Sequence, residues 1–184
     1  CSLLGLLCLL AISGCTDSHI GRSDYDIQRI ERSAKRGSSA PRLATDGEGL
    51  VVLSWLKPDG ERTALRFSVF EREAWTPSRT VATGSNWFVN WADFPSVTPI
   101  SPTQWAAHWL VRQPVGGFAY DVEIARSIDA GNTWSESEKP HHDGTPSEHG
   151  FVSLVPHQDE VIAVWLDGRQ DRKSTRLNSS HVLI

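Results

Sequence analysis

Methionine is absent from the 184 residues, and cysteine occurs only three times, as Cys1, Cys8 and Cys15. The chain beyond Cys15 therefore has no pair of thiols that can form a disulfide. It also lacks a Cys–His metal spacing, a glycine-rich phosphate loop and a Gly-x-Ser-x-Gly nucleophile motif. His141, His142 and Asp143 could offer metal ligands, but we expect adjacent histidines in a loop to face water. The sequence thus predicts no cofactor and no metal.

Positive charge is scarce as well. The chain has 18 Lys and Arg residues against 22 Asp and Glu residues, which gives a formal net charge of −4. Because no basic stripe runs along the sequence, we exclude nucleic acid as an expected partner. Long apolar runs are also missing. Residues 1–12 form an apolar run shorter than the roughly 20 residues that span a bilayer, and this run fits the apolar region of a signal peptide.

The next four residues, Ile12-Ser13-Gly14-Cys15, resemble the bacterial lipobox. We therefore expect residues 1–14 to be a lipoprotein signal peptide whose basic start is missing, and Cys15 to carry lipid after cleavage. An ordinary secretory signal is the alternative. Several acyl chains on Cys15 would hold the protein at a membrane of the bacterial cell envelope, either facing the periplasm or in the outer membrane. Residues 15–39 are polar and mixed in charge, which predicts a tether.

Trp-Leu pairs divide the rest of the chain into similar segments. They begin at Trp55, Trp109 and Trp165, at an interval of about 55 residues. The apolar runs beside them are typical of strands buried on both faces. A repeat of this length, punctuated by Trp and Gly, is typical of a β-propeller blade of four short strands. The sequence therefore predicts an all-β fold, a partial β-propeller with about two blades and the first strand of a third in residues 40–170.

Residues 127–134 have the pattern Ser-x-Asp-x-Gly-x-Thr-Trp. Asp129 can accept N–H bonds across a hairpin bend, and Gly131 can adopt the positive φ that such a bend needs. Ser127 and Thr133 add short-range hydroxyl bonds, and Trp134 is an apolar anchor for the returning strand. The segment resembles the Asp-box (BNR repeat) of bacterial sialidases and related β-propellers. This resemblance implies a ring of six blades and a structural turn at the rim, away from the catalytic centre.

Residues 171–184 break the repeat pattern. The segment Asp171–His181 can be encoded by a common sequencing-library adapter read in frame, so we expect residues 171–184 to be an artefact. The blades then end at residue 170. A partial ring of this kind should expose two apolar blade faces and unpaired strand edges.

Loops that lead into the inner strands of a propeller gather round its axis, where a site is expected. Aligning the repeats on their Trp-Leu pairs places Asp93 and His149 in one register, with Glu148 directly before His149. Two carboxylates that flank a sugar bond can divide acid and base catalysis, so Asp93 and Glu148 are the candidate catalytic residues. His149, Asn90 and Trp91 are candidate substrate-binding residues. The alternative for each carboxylate is a cap or a brace between loops.

The sialidase resemblance further implies that three arginines from different blades hold the carboxylate of the substrate, for which the planar guanidinium is suited. Arg42 lies where the first of these arginines occurs, although Ala40-Pro41-Arg42-Leu43 stands in place of Arg-Ile-Pro. In that family the nucleophilic tyrosine and its glutamate partner come from later blades. We therefore interpret Tyr120 as an ordinary strand residue.

Two functions remain open at this point. The resemblance implies a lipid-anchored, exo-acting glycosidase of the sialidase type, which removes a terminal sialic acid or a related sugar from a glycan. The alternative is a non-catalytic propeller that binds a glycan or a protein through the same axial pocket. Both kinds of protein share the fold, so the fold alone does not decide between them.

Overall fold

The computed structural model describes residues 27–142, 144–170 and 179–183. Within these residues the secondary structure consists of eleven β-strands and one 3-10 turn, Gly168–Gln170, with no α-helix. Accordingly, the described part of the chain contains no helix long and apolar enough to cross a bilayer. The predicted signal peptide, the lipidation site Cys15 and residues 171–178 lie outside the described residues.

The strands form three antiparallel sheets. Sheet 1 contains β1 (Ser39–Thr45), β2 (Val51–Asp59), β3 (Arg62–Glu71), β4 (Ala74–Trp75) and β5 (Arg79–Gly84). Sheet 2 contains β6 (Ser96–Pro99), β7 (Trp105–Arg112) and β8 (Tyr120–Ser127). Sheet 3 contains β9 (His149–His157), β10 (Glu160–Asp167) and β11 (Ser179–Leu183). In each sheet the first three strands pair in the order of the sequence, and in sheet 1 both β4 and β5 pair with β3, which is the meander of a propeller blade.

The three Trp-Leu pairs occupy equivalent places. Trp55, Trp109 and Trp165 lie on β2, β7 and β10, the second strand of each sheet, and each side chain is at most 5% exposed. The first strands of successive sheets are neighbours, since β1 lies beside β6 and β6 beside β9. Sheets that repeat at a constant interval and meet along their first strands form a partial β-propeller, so the predicted fold class is confirmed.

Sheet 2 is covered on both sides. Alternate side chains of a strand point to opposite faces, and on β7 this separates Trp105, Ala107 and Trp109 from Ala106 and Leu110. The first set belongs to an apolar core with sheet 1, which we call junction 1: Val52, Leu56, Leu65, Phe67, Val69, Trp87, Val97 and Ala125. The second set belongs to a core with sheet 3, which we call junction 2: Phe88, Tyr120, Val122, Ile124, Val152, Leu154, Val161, Ala163 and Trp165.

Sheet 3 holds more of its blade than the sequence predicted. Residues 40–170 contribute both β9 and β10, and residues 179–183 of the segment expected to be an artefact pair with β10 as β11. Towards junction 2, sheet 3 presents buried side chains, whereas Phe151 and Val155 on the other face of β9 are 52% and 51% exposed. Leu43 of β1 is 62% exposed on sheet 1. The adapter origin of residues 171–184 stays a prediction.

The loops that carry the candidate site lie together at one edge of the three sheets. At this edge β6, β8 and β9 begin and β7 and β10 end, because Ser96 pairs with His108, Tyr120 with Arg112 and His149 with Asp167. We call it the site edge. The loops before β6 and β9, predicted to gather there, are therefore brought together with the start of β8.

Candidate functional site

Asp93 lies at the site edge and is 5% exposed. Its Oδ2 accepts a hydrogen bond of 2.6 Å from Asn90 Nδ2, and its Oδ1 accepts one of 2.6 Å from the backbone N–H of Phe151. Asn90 Oδ1 in turn accepts the N–H groups of Ala92 and Asp93. The Asp93 carboxylate thus fastens the loop before β6 to the start of β9, which is the brace that the sequence left open as the alternative.

Phe151 is held in an unusual conformation at this brace. Its φ of 51° lies in the left-handed region, which bulky residues rarely adopt. Such a residue persists only where surrounding contacts determine it, and these residues cluster at functional sites. Here the N–H bond to Asp93 supplies one of the contacts. The Asp93 carboxylate therefore holds the loop before β6 against the start of β9 at this unusual residue.

Glu148, directly before β9, is half-buried and pairs with Tyr120. The Tyr120 hydroxyl donates a hydrogen bond of 2.6 Å to Glu148 Oε1. The Tyr120 ring stacks on Phe88 with centroids 4.0 Å apart. Burial, the hydrogen bond to Glu148 and the negative charge of Asp93 all raise the pKa of Tyr120 above its usual range. The phenol therefore stays protonated and serves as a donor to Glu148.

Gly150 allows the Tyr120 hydroxyl and the Asp93 carboxylate to approach the backbone closely, because it has no side chain. A Cβ atom on Gly150 would lie 2.6 Å from the Tyr120 hydroxyl oxygen and 3.0 Å from Asp93 Oδ1. The hydroxyl and that carboxylate oxygen thus both approach the same backbone atom. The structure brings Tyr120, Asp93 and Glu148 together although they come from β8 and from two different loops. The sequence prediction placed Tyr120 in a strand, where it is, but did not foresee its hydroxyl beside the two carboxylates.

On the other side of the same backbone, Asp121 is buried among polar partners. Lys139 Nζ lies 2.6 Å from its Oδ2, and Gln113 Nε2 donates a hydrogen bond of 2.6 Å to its Oδ1. Burial acts against the charged form, but the bonds from Lys139 and Gln113 together hold the pKa of Asp121 below its usual range. The same contact raises the pKa of Lys139. Asp121 is thus a buried carboxylate that stays ionised.

Two histidines lie beside Asp121. His149 Nδ1 is 3.7 Å and His141 Nε2 is 3.8 Å from Asp121 Oδ1, and the two imidazole rings stack with centroids 3.9 Å apart. We call Asp121, His141 and His149 the Asp–His cluster. His141 is only 9% exposed, so it does not face water as the adjacent pair of histidines was predicted to do, because its ring packs on His149. His142 beside it is exposed.

A cavity of about 390 Å³ opens onto this cluster. Its lining is polar and includes Gln113, Asp121, Lys139, His141, His142 and Thr145. His149 is fully buried, with Nδ1 3.2 Å from the carbonyl oxygen of Tyr120 and Nε2 3.9 Å from Asp167 Oδ1. Asp167 is itself held by the guanidinium of Arg169, whose Nε lies 2.7 Å from Oδ1.

The remaining candidate residues lie further apart. Trp91 follows Asn90 in the loop before β6 and is 90% exposed. Arg42 is exposed on β1 of sheet 1, whereas Glu148 directly precedes β9 of sheet 3, so that sheet 2 lies between them. Burial and, to a smaller extent, the charge of Arg42 lower the pKa of His108 to about 3. His108 is hydrogen-bonded to Ser96, with Nδ1 and Oγ 3.0 Å apart, and is a neutral core histidine.

The turn at residues 127–134 lies at the opposite end of β8 from the site edge. Asp129 Oδ1 accepts the Ser127 hydroxyl and the Thr133 N–H, each at 2.8 Å, and Asp129 Oδ2 accepts the Thr133 hydroxyl at 2.6 Å. Gly131 has a φ of 72°, and a Cβ there would come within 2.8 Å of the Phe67 ring. Trp134 also meets Phe67, edge to face. The turn therefore packs against Phe67 of junction 1 and lies away from the site edge.

Comparison with known proteins shows likeness of fold at low sequence identity. No protein-family model and no curated protein matches the chain. Among solved structures, an alpha-L-arabinanase from Penicillium chrysogenum complexed with arabinobiose matches with a TM-score of 0.56 and 11% identity, over 79% of this chain and 46% of that one.

Two further structures match with lower scores. An endo-1,4-beta-xylanase from Bacteroides thetaiotaomicron has a TM-score of 0.49 and 10% identity, over 85% of this chain and 63% of that one. The catalytic domain of a Coprinopsis cinerea GH62 alpha-L-arabinofuranosidase has a TM-score of 0.47 and 9% identity, over 82% of this chain and 55% of that one. This chain thus spans less than two thirds of each. At such identities the likeness shows the fold alone, and the arabinanase shows that a glycosidase uses this β fold.

Proposed function

We propose that the protein is an exo-acting glycoside hydrolase of the sialidase type, which hydrolyses a terminal sialic acid or a related sugar. The observation that carries the proposal is the hydrogen bond from Tyr120 to Glu148 beside the buried carboxylate of Asp93. Paired carboxylates are the usual catalytic groups of glycosidases. The arabinanase likeness supports the proposal at the level of the fold.

Glu148 is the group that we propose for proton transfer. It is half-buried, and the Tyr120 hydroxyl engages Oε1, so that Oε2 can meet the glycosidic oxygen. The hydrogen bond from the Tyr120 hydroxyl to Oε1 fixes the orientation of the Glu148 carboxylate.

Asp93 serves this reaction through its charge and its position. Both of its oxygens are engaged by Asn90 and Phe151, so its carboxylate is fixed close to Tyr120. A fixed negative charge stabilises the positive charge that develops on the sugar ring in the transition state. We propose that Trp91, exposed on the same loop, stacks against the sugar, and that Arg42 binds the carboxylate of an anionic sugar.

The test uses the full-length protein with a panel of chromogenic glycosides that includes a sialoside and an arabinofuranoside. We expect release of sialic acid, and a fall in kcat/KM of about 10²- to 10⁴-fold in Glu148→Gln, the range that general acid–base catalysis supplies. Glu138→Gln is the matched control, because the Glu138 side chain is 78% exposed and forms only a loose pair with Arg126 at 3.9 Å. Unchanged turnover in Glu148→Gln would remove this residue from the mechanism.

A second function has one observation in its favour. Because Asn90 and Phe151 engage both oxygens of Asp93, this residue is suited to bracing a rigid surface that binds a glycan or a protein without catalysis. Saturable binding of a sialylated glycan without hydrolysis, equal in wild type and Glu148→Gln, would favour this alternative. Turnover of the arabinofuranoside in place of the sialoside would keep the hydrolase and change its substrate.

We further propose that the protein is anchored in the bacterial envelope by lipid on Cys15. The support is the lipobox pattern that ends at Cys15 after an apolar run. Metabolic labelling with a fatty-acid analogue should mark the wild type and Cys8→Ser but not Cys15→Ser. Equal labelling of both variants would contradict the assignment.

A further inference from the structure

The Asp–His cluster has the composition and spacing of a metal site. Asp121 comes from β8, His141 from the loop before β9, and His149 from β9 itself. One potential ligand atom of each lies within 4.8 Å of the others, and Asp121 Oδ1 is 3.7 Å and 3.8 Å from the two imidazole nitrogens. For a tetrahedral ion with bonds of about 2.0–2.2 Å, ligand atoms lie about 3.4 Å apart, so small side-chain movements would close the site.

We propose that Asp121, His141 and His149 bind a divalent transition-metal ion of the Zn²⁺ class. Two imidazole nitrogens and one carboxylate suit Zn²⁺, Co²⁺ or Ni²⁺ better than Ca²⁺ or Mg²⁺, which prefer oxygen ligands. Three protein ligands leave a fourth position for water, which is the pattern of zinc sites that remain open to solvent. The cavity of about 390 Å³ lined by Asp121 and His141 supplies that access.

Polar groups behind the cluster are placed to orient these ligands. Asp121 is held by Lys139 and Gln113, and a ligating carboxylate is commonly fixed by such hydrogen bonds. His149 Nδ1 lies 3.2 Å from the carbonyl oxygen of Tyr120 and 3.7 Å from Asp121 Oδ1, and Nε2 faces Asp167 Oδ1 at 3.9 Å. An ion bound through Nδ1 would replace the contact with the Tyr120 carbonyl, and the imidazole proton would move to Nε2, towards Asp167, which Arg169 holds in place. An ion bound through His141 Nε2 would likewise replace the N–H of Val122, which donates to that nitrogen at 3.4 Å.

The site is adjacent to the proposed catalytic groups but distinct from them. Tyr120 and Glu148 are the sequence neighbours of Asp121 and His149, and in extended backbone neighbouring side chains point to opposite sides. An ion bound by the cluster would tie the loop before β9 to β8 and so fix the backbone that carries Glu148. The metal proposal does not depend on the hydrolase, since it rests on the cluster alone.

The experiment uses the full chain, purified without a histidine tag and freed of metal with a chelator. Co²⁺ is added while visible absorption is followed, and Zn²⁺ is added in a calorimeter. We expect one ion per chain and the visible absorption of four-coordinate Co²⁺, displaced by Zn²⁺. His141→Asn should weaken Zn²⁺ binding by more than about 100-fold, because outer partners alone are worth about 10- to 100-fold.

His142→Ala is the matched control, since His142 is exposed next to His141 and should leave the affinity unchanged. Asp121→Asn gives a second disruption that keeps the size of the side chain, should His141→Asn fail to fold by circular dichroism. The absence of saturable binding at one ion per chain overturns the proposal. Equal loss in His142→Ala and His141→Asn also overturns it, because this result describes ions gathered by surface histidines.

Discussion

Junction 1 and junction 2 are built from similar apolar strands but differ in the polar groups that they bury. In junction 1 the buried hydroxyl of Ser54 accepts the N–H of Val97 at 3.3 Å and donates to the carbonyl oxygen of Arg42 at 3.4 Å. At the site edge beside junction 2, the buried polar residues include Asp93, Asp121 and His149.

The buried polar groups of junction 1 are neutral, whereas those of the site edge include ionisable side chains. A buried neutral hydroxyl with two backbone partners changes the free energy of unfolding only slightly. A buried ionisable group, in contrast, lowers the stability of the fold unless it is paired. The site edge offsets this cost by pairing Asp121 with Lys139 and Asp167 with Arg169. Local exceptions to apolar packing are expected at functional sites. The site edge is therefore the part of this propeller where function is expected.

The largest effect should follow from disrupting the packing of junction 1. Trp105 is 2% exposed and meets Phe67 edge to face, with centroids 5.6 Å apart. Trp105→Ala should lower the free energy of unfolding by about 3–5 kcal/mol, because it leaves a large cavity. Urea denaturation measures the change. Trp91→Ala, at a position 90% exposed, should stay within about 0.5 kcal/mol, and an equal loss in both variants would contradict the assignment of Trp105 to the core.

Crowding the site edge should have the next largest effect. In Gly150→Ala the new methyl group meets the Tyr120 hydroxyl at 2.6 Å, so we expect a loss of about 1–3 kcal/mol from overpacking and a weaker bond between Tyr120 and Glu148. Gly47→Ala is the matched control, because a Cβ there has no neighbour within 4 Å. Thermal melts of both variants, with turnover as a second readout, test the prediction. Equal behaviour would contradict the close approach at Gly150.

A pH dependence should come from His108. Its pKa is lowered to about 3 in the folded chain, whereas the unfolded chain takes up a proton near pH 6.5. The unfolded state therefore binds more protons between these values. Stability should fall as pH decreases from about 6.5 towards 3, by up to about 1.4 kcal/mol per pH unit. In His108→Asn, which preserves a partner for Ser96, the slope of unfolding free energy against pH should flatten; an unchanged slope would contradict the prediction.

Disrupting the turn at residues 127–134 should have the smallest effect on the free energy of unfolding. Ser127 Oγ accepts the N–H of Gly131 at 2.8 Å and donates to Asp129. Ser127→Ala should lower the free energy of unfolding by about 1 kcal/mol, without changing Zn²⁺ affinity, because the turn is at the other end of β8. Arg126→Gln, which removes an exposed ion pair, should change the free energy of unfolding by at most about 0.5 kcal/mol. A change in Zn²⁺ affinity in Ser127→Ala would contradict the separation of the two ends.

The repeat of tryptophans was sufficient to predict the fold class. Trp55, Trp109 and Trp165 could be aligned because each unit needs a large apolar side chain at the same place in its second strand, and this need is local to each unit. The same alignment pointed to Asp93 and Glu148, since loops before first strands converge in a propeller. Their roles stay predictions.

The partners of these residues were not predictable in the same way. Tyr120 and Asp121 reach the site edge because the start of β8 meets the loop before β9, through a bridge between Tyr120 and Glu148, and no local pattern encodes that contact. His141 is buried by stacking on His149, eight residues later. An acidic residue at the start of a buried strand, as in Ala119-Tyr120-Asp121-Val122, was the signal that could have indicated the cluster.

The double burial of β7 also fixes how the length of the chain can vary. An insertion or deletion of one residue within Trp105–Arg112 would turn every following side chain to the opposite face, so that Trp109 would enter the space of Leu110 and the reverse. The loop that follows has no such constraint: Val115 and Phe118 are 69% and 76% exposed, and two glycines lie between them. Changes in chain length should therefore accumulate in residues 114–118, between Gln113, which binds Asp121, and the buried Ala119, whereas β7 should keep its eight residues.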